Sequence, residues 1–469
     1  MSYRTLFSGF KGGKAGLKHD AILAHIHQGL KGLKPAPPGV GGGFCRYTRG
    51  MPIAPADLRI EVRWIAPMTA RNVVLEDHSL LVRDGRILDI LPSTVAAERY
   101  CATAVLSRNS HLLMPGMINA QSAAATLLSR GANGDAARVE RMANADFARD
   151  GTLAAIAEML KSGITCFCDR AYFPEETARA ANEQGMRAMI GMPVTDGITP
   201  WSQDAGQSLS RALKLRDAHK GDPLISTAFA PLAANTLSDA TFARLATLAD
   251  ELDAGIMVDL HQSTREIDEC VAAYGMRPLE RLWNLGLLTP ALNAARMVEL
   301  NAADMNLMQR TGISVTVCPQ GDLKLCAGLA PIAAFFAAGV RLGIGSAGAA
   351  ALGHDIWGNM KIVALLTNAW DALRAATYGG AAVLGLENEV GSLETGKWAD
   401  LCCVDLSGPG TQPISDPLTQ LVFGGARDIV SDVWVAGRQL LSGGELTRLD
   451  WSEVAARSQA WAARMAARG

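Results

Sequence analysis

No apolar run in this 469-residue chain reaches the ~18–20 residues that a bilayer crossing needs. No apolar segment with a small-residue cleavage site opens it, which predicts a protein that is not exported. The nine cysteines include no C-x-x-C pair. Apart from Cys166-Phe-Cys168 and Cys402–Cys403 they are scattered, which predicts reduced thiols and a cytoplasmic location. Charge of one sign is missing too. Lys+Arg number 44 against 46 Asp+Glu, a net −2, so the chain as a whole gives no reason to expect nucleic acid or a membrane surface as partner. The glycine-rich Gly345-Ser-Ala-Gly-Ala-Ala350 lacks phosphate-binding spacing and reads as a tight turn.

What is present is apolar content. Hydrophobic residues make up 49% and charged residues 19%, enough for a large domain and a smaller one. Residues 1–50 stand apart, with eight basic residues against Asp20 alone and with clustered Gly and Pro. We read 1–56 as a flexible basic N-terminal extension. His19, His25 and His27 within it read as solvated.

From Asp57 the pattern turns strand-like. Leu58–Trp64 alternates apolar and polar residues. Ser79–Ile90 reads as a hairpin turning at Asp84-Gly85. A second β-rich block holds Gly391–Asp405 and Val430–Arg438. Neither block could bury a core alone, so 57–113 and 391–450 are expected to form one composite β-sandwich domain. Between them, 114–390, short apolar runs alternate with helical stretches in roughly eight β–α units. That is the pattern of a (β/α)8 TIM barrel. Residues 451–469 read as a C-terminal helix. The fold class is therefore α/β.

Chemistry in such a barrel gathers where strands end. The first such place is Leu112-Leu-Met-Pro-Gly-Met-Ile-Asn119-Ala-Gln121-Ser-Ala123. Together with the Asp-Gly-Arg-Ile hairpin, Tyr274-Gly-Met-Arg-Pro-Leu279, Cys318-Pro-Gln-Gly-Asp-Leu-Lys-Leu325, Gly345-Ser-Ala-Gly-Ala-Ala350 and Glu394-Thr-Gly-Lys-Trp-Ala-Asp-Leu401, it resembles the amidohydrolase superfamily. The likeness is to the branch that deaminates S-adenosylhomocysteine, methylthioadenosine and guanine and hydrolyses chlorinated triazines. It runs from about Asp57 to about Arg457. The resemblance implies a hydrolase of non-peptide C–N bonds that uses Zn or Fe.

The residues depart from what the resemblance implies. Its metal-ligand positions fall on Gln121, Ala123, Asp259, Arg296 and Ala347, and its acid/base position on Gln262. A shift of two residues would instead place His261 as ligand and Thr264 at the acid/base position. A substrate-contacting His becomes Leu232, and the His before the later Cys-Pro becomes Val317. Gln and Ala offer no imidazole or carboxylate, and a guanidinium repels a divalent cation. An amide does not titrate, so Gln262 cannot serve as acid or base. The lid expected after Arg130-Gly131 is short and polar, Ala132–Asp146.

The sequence thus leads to the expectation of no metal and no cofactor, in a non-hydrolytic pseudoenzyme or partner- and ligand-binding protein. The other reading is a hydrolase or deaminase of a heterocyclic, purine- or triazine-like substrate, or a metal-free lyase or cyclase in the same pocket. Catalytic candidates are His261, Asp259 and Arg296. Asp259 and Arg296 are expected to pair across the mouth, and His261 is an acid–base group or a satisfied strand-end histidine. Leu232, Cys168, Asp169, His354 and Asp355 are the expected pocket residues. The expected partners are a small heterocyclic ligand and further subunits, either copies of the chain or an active paralogue.

Overall fold

The computed structural model describes residues 54–130, 141–348, 353–425 and 427–467. Residues 1–53, most of the expected basic extension, lie outside them, as do residues 132–140 of the expected lid.

The first strands follow the alternation in the sequence. β1 (Ala54–Ile65), β2 (Leu75–Glu76), β3 (His78–Arg83), β4 (Arg86–Pro92) and β5 (Tyr100–Pro115) open the chain. β3 and β4 pair antiparallel with Arg83 opposite Arg86. Asp84 and Gly85 both turn through the left-handed region, with φ 53° and 75°, which is what a two-residue primed turn demands. A Cβ on Gly85 would stand 2.5 Å from the Ala436 carbonyl oxygen, so glycine is required there twice over.

Eight parallel strands come next: β6 (Met117–Ser122), β7 (Ile164–Asp169), β8 (Arg187–Val194), β9 (Ile225–Pro231), β10 (Ile256–Leu260), β11 (Leu292–Arg296), β12 (Ser314–Val317) and β13 (Leu342–Ile344). They pair in sequence order from β6 to β13. The ring is nearly closed where the Ser346 and Ala347 N–H groups donate to the Gln121 carbonyl at 2.9 and 3.1 Å. Ile118, Ala120, Cys166, Cys168, Met189, Ala228 and Met257 fill its interior and pack on Ala381, Val383 and Leu384. The barrel is therefore a packed core that opens only at its rim.

The chain then returns to the first sheet with β14 (Leu401–Asp405), β15 (Val430–Val435), β16 (Arg438–Ser442) and β17 (Glu445–Leu446). β14 lies antiparallel to β5, and one nine-stranded mixed sheet is built from both ends of the chain. It encloses its own apolar cluster around Ile60, Leu80, Leu401 and Trp434. A helix, Trp451–Ala467, ends the described chain, with the Trp461 ring edge-on to Phe147 at 5.2 Å.

Among the described residues no helix is long and apolar enough to cross a membrane. Seven cysteines among the described residues are free thiols. Cys101 is disulfide-bonded, which corrects the expectation of reduced thiols throughout.

Candidate functional site at the barrel mouth

Strand ends at the mouth carry unusual backbone. His261, Arg296, Met297 and Ala347 all have φ between 53° and 77°, a region that costs a non-glycine residue about 1–2 kcal/mol. Such strain gathers where side chains must be aimed.

One chain of polar contacts runs across the mouth. The Cys318 thiol donates to Gln121 Oε1 at 2.9 Å. Gln121 Nε2 donates to Asp259 Oδ1 at 2.8 Å. Arg170 Nη1 donates to the same oxygen at 2.6 Å, while its Nη2 donates to the Pro231 and Leu232 carbonyls, both at 3.3 Å. The expected Arg296–Asp259 pair is not formed. Arg296 Nη1 instead meets Asp322 Oδ1 at 2.6 Å, in the short helix after β12. The left-handed backbone at Arg296 sends its side chain toward that helix, and Arg170 is the cation that reaches Asp259. Burial lifts the Asp322 carboxyl above its ordinary value although Arg296 stands beside it.

His261 is fully buried and fully used. The Leu279 N–H donates to its Nε2 at 3.1 Å, so the ring proton lies on Nδ1, which contacts the Glu299 carbonyl at 3.0 Å. Burial lowers its pKa. It is a satisfied strand-end histidine, which corrects its candidacy as a catalytic group. The loop that carries it is held by Glu266, whose carboxylate accepts the His261 and Gln262 N–H groups at 3.2 and 2.8 Å. Burial raises the Glu266 pKa to about 7.

The remaining expected pocket residues are drawn inward. Cys168 is buried and its thiol contacts Met257 Sδ at 3.2 Å; burial holds it well above the ordinary thiol value. The thiol of Cys318 is pushed up to about 12 by the same cause. Neither is poised as a nucleophile. Asp169 Oδ1 accepts the Ala124 N–H at 2.6 Å and its Oδ2 accepts from Thr177 at 3.2 Å, so it ties the end of β6 to β7. Its burial raises its pKa to about 6. His354 is buried beside the Ser346 hydroxyl at 3.2 Å. Asp355 caps the helix Ile356–Leu366 by accepting the Gly358 N–H at 3.1 Å. Four of the expected pocket residues therefore pack the rim from behind, and Leu232 alone lines the open space.

That space is a cavity of about 280 Å³ on the C-terminal side of the barrel. Ala123, Phe147, Arg170, Tyr172, Phe173 and Leu232 are among its walls. The reading of strand ends passed over Arg170, although it directly follows the β7 run. It also passed over Asp322, which sits within a quoted motif. A larger cavity, about 770 Å³, lies at the opposite end of the strands among Arg216, His219, Asn293 and Arg341. That end of a parallel barrel serves stability.

The chain is similar over most of its length to curated and solved proteins. A protein of Teredinibacter turnerae named 5-methylthioadenosine/S-adenosylhomocysteine deaminase is 37% identical over 434 residues, 88% of this chain and 98% of that one. A protein of the same name from Saccharophagus degradans is 34% identical, covering 87% of this chain and 96% of the other. The crystal structure of an adenosine deaminase from Xanthomonas campestris, described with bound zinc, is 37% identical. It superimposes with a TM-score of 0.87 over 89% of this chain and 100% of that one. A triazine hydrolase variant at 22% identity and TM-score 0.80, covering 87% and 99%, shares the fold.

These findings overturn the expectation of a metal-independent pseudoenzyme. The relatives are named as deaminases, and the zinc in the 37%-identical structure means that the family implies a metal. The side chains at this mouth do not fit one. Asp259 Oδ1 already accepts two donors, Ala123 and Ala347 offer no ligand atom, and Arg170 and Arg296 bring two fixed positive charges. Among the described residues no group of three His, Cys, Asp or Glu side chains stands ready for a metal ion. The scaffold itself is unambiguous. The amidohydrolase family model matches residues 112–440, and the chain belongs to that family.

Proposed function

We propose that this chain acts on a C–N bond of a heterocyclic, purine-type substrate, the hydrolytic deamination named in its relatives. The observation that carries the proposal is the 37% identity to a 5-methylthioadenosine/S-adenosylhomocysteine deaminase along 98% of that protein. The cavity supports it, since a largely apolar pocket with aromatic walls suits a planar ring. The chain's own residues supply binding and orientation. Phe147, Tyr172 and Phe173 shape the apolar wall, and Arg170, a further wall residue, joins Gln121 in holding Asp259 behind it. A cytoplasmic site of action belongs to the same proposal, on seven free thiols against the bonded Cys101 among the described residues.

The test is direct. Purified protein is incubated with 5′-methylthioadenosine, S-adenosylhomocysteine and adenosine, with and without added zinc, and released ammonia is measured. Ammonia above the blank with at least one probe is expected. None with any of the three, in either condition, sinks the proposal.

A further inference from the structure

Asp259 holds its two oxygens differently. Oδ1 accepts both Gln121 Nε2 and Arg170 Nη1, at 2.8 and 2.6 Å. Oδ2 accepts nothing from the described residues. The side chain is 24% exposed, whereas Arg170 beside it is 6% exposed and Arg296 and Asp322 are 9% and 1% exposed. Of the charged groups in this network, Asp259 is the one presented to the opening. Arg170 joins it to the binding space, because the same guanidinium lines the 280 Å³ cavity and holds the carbonyl of Leu232, another wall residue. Asp259 is not itself a wall of the cavity, but it bonds to the wall residue Arg170 and bridges to Ala233, the neighbour of the wall residue Leu232. The arrangement is an apolar seat with one fixed carboxylate held beside it. The two donors on Oδ1 fix the carboxylate plane, and a charged acceptor makes the strong kind of hydrogen bond.

We propose that Asp259 is the specificity-determining acceptor of the mouth, whose Oδ2 receives an N–H from the edge of a heterocyclic ligand seated in the cavity. The ligand class is a planar ring carrying an amino donor, such as a 6-aminopurine. A ring of the same shape without that N–H leaves Oδ2 desolvated and unpaired, and is disfavoured for that reason. This inference rests on the heterocyclic substrate class proposed above.

Substitution at Asp259 has a specific consequence. In Asp259→Asn the Gln121 and Arg170 donors claim the remaining carbonyl oxygen. The atom facing the ligand is then an NH2 donor, which repels another N–H. Asp259→Asn also leaves Arg170 without its carboxylate, so Asp259→Asn/Arg170→Met serves as a second variant, and thermal melting reports the folding of each. Binding of 5′-methylthioadenosine and of its N6,N6-dimethyl counterpart is measured by equilibrium dialysis without added zinc, with probe and any deaminated product in each chamber separated and quantified. Wild-type protein should prefer the amino probe by about tenfold or more, and both variants should bind the two probes within about threefold of each other. A preference that survives in either folded variant overturns the inference. Wild-type protein that binds both probes alike overturns the inference and leaves the proposed substrate class standing. Wild-type protein that binds neither probe also overturns the inference, while the ammonia assay above decides the substrate class separately.

Discussion

Arg296 ends β11 with φ 77° and buries its guanidinium against Asp322, leaving Arg296 Nε and Asp322 Oδ2 without hydrogen-bond partners among the described residues. A pair so enclosed is costly to break from one side, because the stranded partner keeps its charge out of water. Arg296→Met should therefore lower stability by about 3–5 kcal/mol. Adding Asp322→Asn should return part of that loss, with a coupling of about 1 kcal/mol or more. Coupling to Asp259→Asn should be smaller, since no hydrogen bond joins the two. Urea unfolding of the full double-mutant cycles measures all three, and equal coupling to both aspartates would show that Asp322 is not the partner. His354 permits a second test at this scale. Burial lowers its pKa to about 4, against about 6.5 in an unfolded chain. A lowered histidine pKa means that the unfolded chain takes up the proton first. The stability it confers is complete above pH ~6.5 and lost as pH falls toward 4. His354→Asn removes that term. The cost of the substitution should then shrink by about 2 kcal/mol between pH 7 and pH 5. Asp169 and Glu266, with raised pKa values, push wild-type stability the other way across the same range. The comparison must therefore be between wild type and variant at each pH. An unchanged cost at the two pH values would mean that His354 titrates normally.

At the scale of elements, local chemistry made most of the fold legible. The alternation in Leu58–Trp64 could only be a strand with one buried face, and Asp84-Gly85 could only be a tight reversal between two β-rich runs. The apolar runs ending at Phe167, Gly191 and Leu260 all lie in parallel strands, each short and followed by a helix, two of the three helices with a side-chain cap. Ser263, for example, accepts the Glu266 N–H at 3.3 Å to start the helix Thr264–Tyr274. The site was legible only as a place. Gln121, Asp259 and Arg296 do converge on the mouth, because strand ends of a closed barrel must. Which of them touch was not legible. The Arg170–Asp259 contact joins residues 89 positions apart, and the Arg296–Asp322 contact starts from a left-handed strand end. Periodicity carries no information about the direction either side chain takes. His354 and Asp355 misled for a related reason. A His-Asp pair beside a rim turn looks chemical, yet one side chain is buried beneath the rim and the other caps a helix.

A buried ion pair joins the two layers of the molecule. Arg187, at the start of β8, donates from Nε and Nη2 to both oxygens of Asp400, at 2.7 and 3.0 Å, with both side chains at most 5% exposed. Asp400 precedes β14 and also accepts the Ala436 N–H at 2.7 Å, in the turn between β15 and β16. Trp398 adds an aromatic face, with the Arg86 guanidinium 3.9 Å and that of Arg187 5.8 Å from its ring centre. One buried carboxylate thus joins the barrel, the returning strand and a sheet turn. The sheet is built from both ends of the chain, so this joint bears on the closure of the entire fold. Removing only the cation should be severe. Arg187→Met strands Asp400 and should cost about 3–5 kcal/mol. Removing both charges with Arg187→Met/Asp400→Leu should cost less than the sum of the single changes by at least about 1 kcal/mol. The Ala436 N–H stays unpaired in Asp400→Leu, so the double variant should still fall short of wild type. Urea unfolding followed by both tryptophan fluorescence and far-ultraviolet dichroism reads this out. If barrel and sheet depend on the joint, the two signals should move together in wild type and separate in Arg187→Met. Single costs that simply add, with the two signals still coincident, would place the link between the layers elsewhere, in the β5–β14 pairing and the apolar contacts around it.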